Sequence, residues 1–523
     1  MSEKESQESA GHAEKHSPGA TRTIRNVAAN WGGFAFSILV TFFLSPFVVR
    51  HLGNGAYGVW TLIGSLTGYL GLLDMGVRGA VTRYVARFHA QANHQQANET
   101  ASSAMMIFSS AGLLAILISV ALGALALDRL HVPEDLQAQA RIVLLIAGVT
   151  VAISLVGGVF GGILVALQRF DLVNLIEIIM SGLRALVIVF ALRGGSGIAA
   201  LALIQLGASL LSALANAVLV ARLYPELRIR PSYANRPHLK LIFSFSVYSF
   251  LLQIFAYLIL YTDSVVIAAF LPVNFVTFFA IAGNLITYAR GLTRGISSTV
   301  TPLASRLEAA GDFAGLRLTA LTSACYSTAL MMPIGLTFLI RGGSFIGLWM
   351  GPEYATLSGG VLWILAWMAI FSTGPGAGWA VVQGIGKHQA LVPVYLLEAL
   401  TNLILSIVLV RTMGVLGVAW GSTIPNLIVC FFFWPWYMRR TLQIPVRQYV
   451  TSTWILPSLA MAPFALGTYF FERMLPPTKL LIFFAQIAAT LPLALVGFWY
   501  VCVPREERQN RFQQLKQAMF AHR

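Results

Sequence analysis

From Asn30 to Cys502 the chain alternates between apolar runs of about 20 residues or more and short polar breaks. At 1.5 Å per residue, a helix of that length crosses a hydrocarbon layer of about 30 Å. In lipid every backbone N–H and C=O must be paired internally, and the runs are too long for barrel strands, so the pattern predicts helices throughout. They are expected at residues 28–49, 56–75, 100–126, 141–167, 172–192, 197–222, 241–270, 274–301, 317–340, 357–383, 389–410, 414–438, 450–471 and 478–502. That makes fourteen membrane helices, of which the fourth and fifth are parted only by the short turn at Gln168–Asp171.

The domains expected are a disordered cytoplasmic tail (1–20), an N-terminal six-helix bundle (21–230), a C-terminal six-helix bundle (231–440), two additional membrane helices (441–503) and a basic amphipathic tail (504–523). The first tail is polar and mixed in charge, and no cleavable signal sequence is expected ahead of the first apolar run. In the last tail Phe512, Leu515, Met519 and Phe520 share one face, which suits the surface of the inner leaflet.

Composition excludes a soluble domain: hydrophobic types make up 57% and charged types 11%, against about 25% charged in soluble proteins. The net charge of +15 would suggest nucleic acid on a soluble chain, but here its placement decides. With the N-terminus in the cytoplasm, 26 of the 35 Lys and Arg fall at cytoplasmic breaks. The positive-inside rule is then satisfied with both ends cytoplasmic, and an even number of spans follows. The excess is a topology signal that meets anionic lipid, so no nucleic-acid partner is expected. Cys325, Cys430 and Cys502 sit in apolar runs without metal or disulfide spacing.

The two halves repeat. A shift of 219 residues aligns Ser45 with Ser264, Gly64 with Gly283, Tyr69 with Tyr288, Gly76 with Gly295, Thr82 with Thr301 and Arg87 with Arg306, among others. It carries span one onto span seven in the same orientation, which predicts a parallel repeat about an axis along the membrane normal. Two such bundles with a cleft that opens alternately to either side are the architecture of a transporter.

The stretch from His51 to Ala86 resembles the signature of the polysaccharide (Wzx-type) flippase branch of the multidrug/oligosaccharidyl-lipid/polysaccharide exporter superfamily, through Leu52-Gly53, Tyr57-Gly58, Asp74, Gly76, Arg83 and Tyr84. The second half is similar to the family's seventh and eighth helices from Tyr261 to Leu285, with Asp263 at the acidic position, and the closing pattern appears as Pro302, Ser305, Gly311 and Asp312. The resemblance covers about residues 25–440. Ser264 stands where a basic residue is common, and Pro272 where a glycine is. The family is also similar in fold to peptidoglycan-precursor flippases and cation-coupled drug exporters, so fold alone leaves the cargo open.

Ionisable side chains in membrane helices cost about 2.5–3.5 kcal/mol on insertion scales and need a partner, a wet cavity or a function. Arg290 and Arg294 lie four apart on one helix face. They are either topology anchors or a planar clamp for a diphosphate, the anion the resemblance supplies. Arg184 lies deeper in its span, with Glu177 two turns earlier on the same stripe, about 10 Å away along the axis and beyond direct contact. Either both face the cargo or each pairs with neighbouring helices. Arg25 opens the first helix as an interfacial anchor or a contact at the inner mouth, and Asp74 with Arg78 reads as a local i, i+4 ion pair. Asp263, and Glu398 with Asn402, offer oxygens for Na⁺ or a proton as coupling ion, or structural hydrogen bonds.

Enzyme motifs are absent from the sequence. Gly384–Lys387 lacks the Ser/Thr of a P-loop, the nine histidines show no metal spacing, and Gly194–Gly197 is a turn. The function expected is therefore not enzymatic. It is a flippase that moves an undecaprenyl-diphosphate-linked oligosaccharide across a bacterial inner membrane by alternating access, with no cofactor beyond a coupling ion and with a glycan polymerase and export machinery as partners. The alternatives are a cation-coupled multidrug or small-molecule exporter, and a membrane glycan polymerase or ligase. The last usually carries a large outer loop, whereas the longest outer break here, Asp128 to Arg141, is about a dozen residues if the spans are helical.

Overall fold

The computed structural model describes residues 20–243, 247–505 and 508–509. The tail expected at 1–20 lies outside them except for Ala20, and so does the face of Phe512, Leu515, Met519 and Phe520. The described residues are all-helical, with no strand. The helices used below are α1 (Ala20–Gly68), α2 (Val77–Ala90), α3 (His94–Leu125), α4 (Glu134–Ala166), α5 (Phe170–Arg193), α6 (Ile198–Leu223), α7 (Arg236–Phe243), α8 (Val247–Phe270), α9 (Asn274–Ala309), α10 (Phe313–Trp349), α11 (Leu357–Gly384), α12 (Val392–Met413), α13 (Val415–Ile428), α14 (Leu456–Met474) and α15 (Leu480–Gly497).

Thirteen segments of the described residues are long and apolar enough to cross a membrane, against the fourteen expected. The difference lies at the start, where the expected spans 28–49 and 56–75 fall largely in α1, which joins two helices across a kink and counts as part of one long segment. Inside α1 only Gly53 leaves helical geometry, at φ 76° and ψ 167°. That conformation is open to glycine and strained for other residues, so the polar break seen in the sequence is a kink at which one helix ends and the next begins, with an expected span on either side of it.

The chain forms two compact units: Met1–His51, Leu73–Val120 and Leu145–Phe245 in one, Leu52–Leu72, Ala121–Leu144 and Ser246–Arg523 in the other. In the first, Val81, Val85, Phe108, Val159 and Ile163 of α2, α3 and α4 share a buried core. The stretch after α6 is fastened to the start of α3. The Arg228 N–H donates to Asn98 Oδ1 at 2.8 Å, the Arg230 N–H to Ser102 Oγ at 3.1 Å, and Asn235 Nδ2 to Glu99 Oε2 at 2.8 Å. His238 on α7 lies 3.3 Å from the same Glu99 carboxylate. Tyr224, just past α6, packs against His94 with its hydroxyl 2.8 Å from Nδ1, and burial pushes its phenol above the usual range.

In the second unit Leu52–Leu72 is tied in by Asn54, whose carbonyl accepts from Thr277 Oγ1 at 2.7 Å and whose side chain accepts from the Tyr354 hydroxyl. Asp312 caps α10 by accepting from the Gly315 N–H at 2.8 Å. The last two membrane helices pack on α10 through Cys325, Met332, Met461, Phe464, Ala494 and Cys502. A polar clamp joins the same helices. Arg341 on α10, 1% exposed, donates to Glu472 on α14 at 2.8 Å and to Gln486 on α15, and its guanidinium sits 4.6 Å from the Phe483 ring centroid. The Ser344 hydroxyl donates to the other Glu472 oxygen. A π-turn at Thr451–Ile455 precedes Pro457, whose missing N–H leaves a carbonyl of that turn without its usual partner.

Candidate functional site

Besides the Arg341 clamp, two polar clusters lie within membrane helices, one in each unit. In the first, a cavity of about 360 Å³ is built mainly by three helices. On α5, Glu177, Ser181 and Arg184 recur at four and three residues and so share one face. On α6, Gln205, Ser209, Ser212 and Asn216 do the same at intervals of four, three and four. On α4, Ser154, Gly157, Gly158 and Gly161 leave the space that larger side chains would fill. Ser37 of α1 and Arg78 of α2 also reach it, and apolar side chains such as Ile153, Val173, Ile176 and Met180 form the rest of the lining.

Arg184 Nη1 donates to Gln205 Oε1 at 2.7 Å. Its hydrogen-bond partner is thus a neutral amide, while the charge that acts on it is that of Glu177. Glu177 lies on the same wall and its charge acts on Arg184, although no direct ion pair joins the two among the described residues. Arg78 pairs with Asp74 at 3.5 Å, as its spacing predicts, and also reaches the cavity. It lies so near α4 that a Cβ on Gly158 would sit 2.8 Å from its Nη2. Two polar atoms of the lining, Ser181 Oγ and Asn216 Oδ1, are buried without a hydrogen-bond partner.

The second cluster joins α8, α12 and α13. Ser422 Oγ lies 2.8 Å from both oxygens of Asp263, and Asn402 Nδ2 donates to it at 2.9 Å. One turn along α13, Asn426 Nδ2 donates to Glu398 Oε1 at 2.8 Å. Asp263, Glu398 and Asn402 are all buried, at 7%, 5% and 1% exposure. Glu398 Oε2, Asn402 Oδ1 and Ser406 Oγ are buried without a partner. Neutral amides and hydroxyls meet the carboxylates, and the nearby Arg290 charge acts on Glu398.

The expected candidates therefore separate. Arg184 and Glu177 line one cavity in the first unit, while Asp263, Glu398 and Asn402 meet in the second. Arg290 sits with the second group, where its Nη2 donates to Ser372 Oγ at 3.3 Å. The side chains of Arg25 and Arg294 lie outside the described residues. Sequence reasoning missed the α6 stripe and both α13 partners, Ser422 and Asn426. The helical spacing at 205, 209, 212 and 216 was the available signal, and a search confined to charged residues passes over it.

Long apolar helices that bury separate polar clusters define a multi-pass membrane protein of transporter architecture. The chain belongs to the polysaccharide biosynthesis protein family, whose sequence pattern matches residues 24–308. It is 22% identical to a putative O-antigen transporter of Shigella flexneri over 402 residues, covering 76% of this chain and 93% of that one. It is 30% identical over 95 residues to a putative O-antigen export protein of Yersinia pseudotuberculosis, covering 18% of this chain and 21% of that one. In fold it is similar to the lipid II flippase MurJ in an inward closed conformation, with a TM-score of 0.71 at 13% identity over 91% of this chain and 98% of that one. It is likewise similar to an inward-facing multidrug resistance MATE family transporter of the MOP superfamily, with a TM-score of 0.68 at 17% identity over 77% and 95%.

Proposed function

We propose that this protein is a flippase that carries a lipid-linked oligosaccharide, joined through a diphosphate to undecaprenol, from the cytoplasmic to the outer leaflet of a bacterial inner membrane by alternating access. The observation that carries this reading is the cavity itself, where Arg184 meets a neutral amide among serine, glutamine and asparagine side chains. A guanidinium hydrogen-bonded to a neutral amide and not paired directly with a carboxylate suits a diphosphate, and neutral hydroxyl and amide groups suit sugar. A cationic drug would meet Arg184 and Arg78 at close range, which disfavours the multidrug exporter. Transport fits membership of a polysaccharide biosynthesis family and needs no catalytic group. The Lys and Arg bias supports a topology with both termini in the cytoplasm. A glycan polymerase and export machinery would then take the product on the far side.

The acidic cluster in the second unit is the place for a coupling ion. Asp263, Glu398 and Asn402, with Ser422, present buried oxygens, and the orphaned Glu398 Oε2 and Asn402 Oδ1 fit a Na⁺ or a proton. Bound there, the ion would supply the driving force for the conformational cycle.

The test is deletion in the native host with analysis of lipid-linked intermediates by leaflet. The expected result is accumulation on the cytoplasmic side, restored by the wild-type chain and poorly restored by Arg184→Ala. Absence of accumulation, together with normal glycan export by Arg184→Ala, overturns the assignment.

A further inference from the structure

In the first-unit cavity, the α6 face is neutral but dense in hydrogen-bonding groups, and through Gln205 it holds Arg184. Gln205, Ser209, Ser212 and Asn216 fall on a single helical stripe, while Leu210 and Leu214 of the same helix are apolar and exposed. An unpaired buried polar atom costs about 1–3 kcal/mol, so helices bury such atoms rarely. Two occur among the lining residues, Asn216 Oδ1 on α6 and Ser181 Oγ on α5. The cavity of about 360 Å³ is within the usual size of ligand sites, about 300–1,000 Å³.

We propose that Ser209, Ser212 and Asn216 of α6, with Ser181 of α5, form the face of the cavity that reads the sugar next to the diphosphate, and that Gln205 is a positioning residue that holds Arg184 for the phosphate. This rests on the flippase reading and assigns chemistry within it. A hydroxyl- or acetamido-bearing ring offers both donors and acceptors, as serine and asparagine side chains require. Sugar hydroxyls can donate to Asn216 Oδ1 and exchange hydrogen bonds with Ser181 and Ser212. A site built from buried hydrogen-bonding groups discriminates sharply against a ligand lacking them, because its own groups are then left unpaired. Gln205 accepts from Arg184 without neutralising it, whereas a carboxylate at that position would compete with the cargo for the guanidinium.

The experiment uses the full chain in lipid nanodiscs with two probes: polyprenyl diphosphate without sugar, and polyprenyl diphosphate bearing one N-acetylhexosamine. Binding is read by thermophoresis at fixed salt, on variants whose elution and thermal melt match the wild type. The wild type is expected to favour the sugar-bearing probe by about tenfold, one good hydrogen bond's worth. Asn216→Ala and Ser212→Ala should remove that preference and leave the sugar-free affinity unchanged, with Ser209→Ala in reserve should Asn216→Ala fail to fold. Arg184→Gln should weaken both probes about tenfold, and Gln205→Glu should do the same without changing the preference. Equal wild-type affinity for the two probes, or a preference that survives the α6 variants, overturns the sugar-reading face; the flippase reading then stands if Arg184→Gln still weakens both. Failure of either probe to bind, or no effect of Arg184→Gln on either, overturns the flippase reading and this inference with it.

Discussion

At the scale of single residues, Gly421 decides whether the acidic cluster can assemble. It faces α12 where a Cβ would lie 2.3 Å from Ser406 Oγ and 2.6 Å from the Ser406 backbone nitrogen, so turning a side chain cannot relieve the clash. The next residue, Ser422, sits between Asp263 and Asn402. Gly421→Ala is expected to push α13 off α12, lower stability by about 1–3 kcal/mol, and break the Ser422 bridge. A thermal melt of the purified protein checks the first effect, and an unchanged melting temperature would count against this close approach. The sequence made Asp263, Glu398 and Asn402 visible, since a charge or amide in an apolar run stands out. It hid Ser422, because a lone serine in an apolar run carries no such contrast, and Asn426, an amide in mid-span, was equally visible but its partner Glu398 lies 28 residues away on another helix. Arg290 shows the opposite failure: its charge was legible, but its placement beside Ser372 and Glu398 depends on packing between helices 82 and 108 residues away in sequence.

At the scale of helices, the final pair is held by a clamp that no local pattern announces. Arg341 and Glu472 are 131 residues apart, and in the sequence each reads as an ordinary charge near the end of an apolar run. Together they fix α14 to α10, with Gln486 adding α15. Removing one partner leaves the other charge poorly solvated. Glu472→Gln is expected to cost about 3 kcal/mol, the low end for a buried pair, because the glutamate side chain keeps 21% exposure. Pairing Arg341→Met with Glu472→Leu should recover much of that loss. Melting temperatures of the single and double variants check the prediction, and a double variant less stable than either single would contradict it. The helices themselves were legible from run length and backbone pairing alone. The first break was legible too, and Gly53 is the residue that makes it, with a backbone conformation that separates the two helices of α1.

At the scale of the whole molecule, the lining that suits cargo and the oxygens that suit an ion occupy different units. Cargo affinity and energy coupling should therefore fail separately. In proteoliposomes, Asp263→Asn is expected to make lipid translocation insensitive to an imposed Na⁺ or proton gradient while leaving binding of the diphosphate probe near wild type. Parallel flux and binding measurements decide this; a wild-type flux that ignores both gradients removes the coupling role.

The path of the chain has a practical consequence. The backbone passes from one unit to the other five times, at residues 51/52, 72/73, 120/121, 144/145 and 245/246. The second unit is completed by Leu52–Leu72, which it holds through Asn54, Thr277 and Tyr354. A chimera of two relatives spliced once near residue 245 would thus give its second unit borrowed pieces at 52–72 and 121–144, chosen by the wrong parent. Exchanging specificity between such proteins calls for grafts that follow the units, with several junctions, and a single cut between apparent halves should yield poorly folded hybrids.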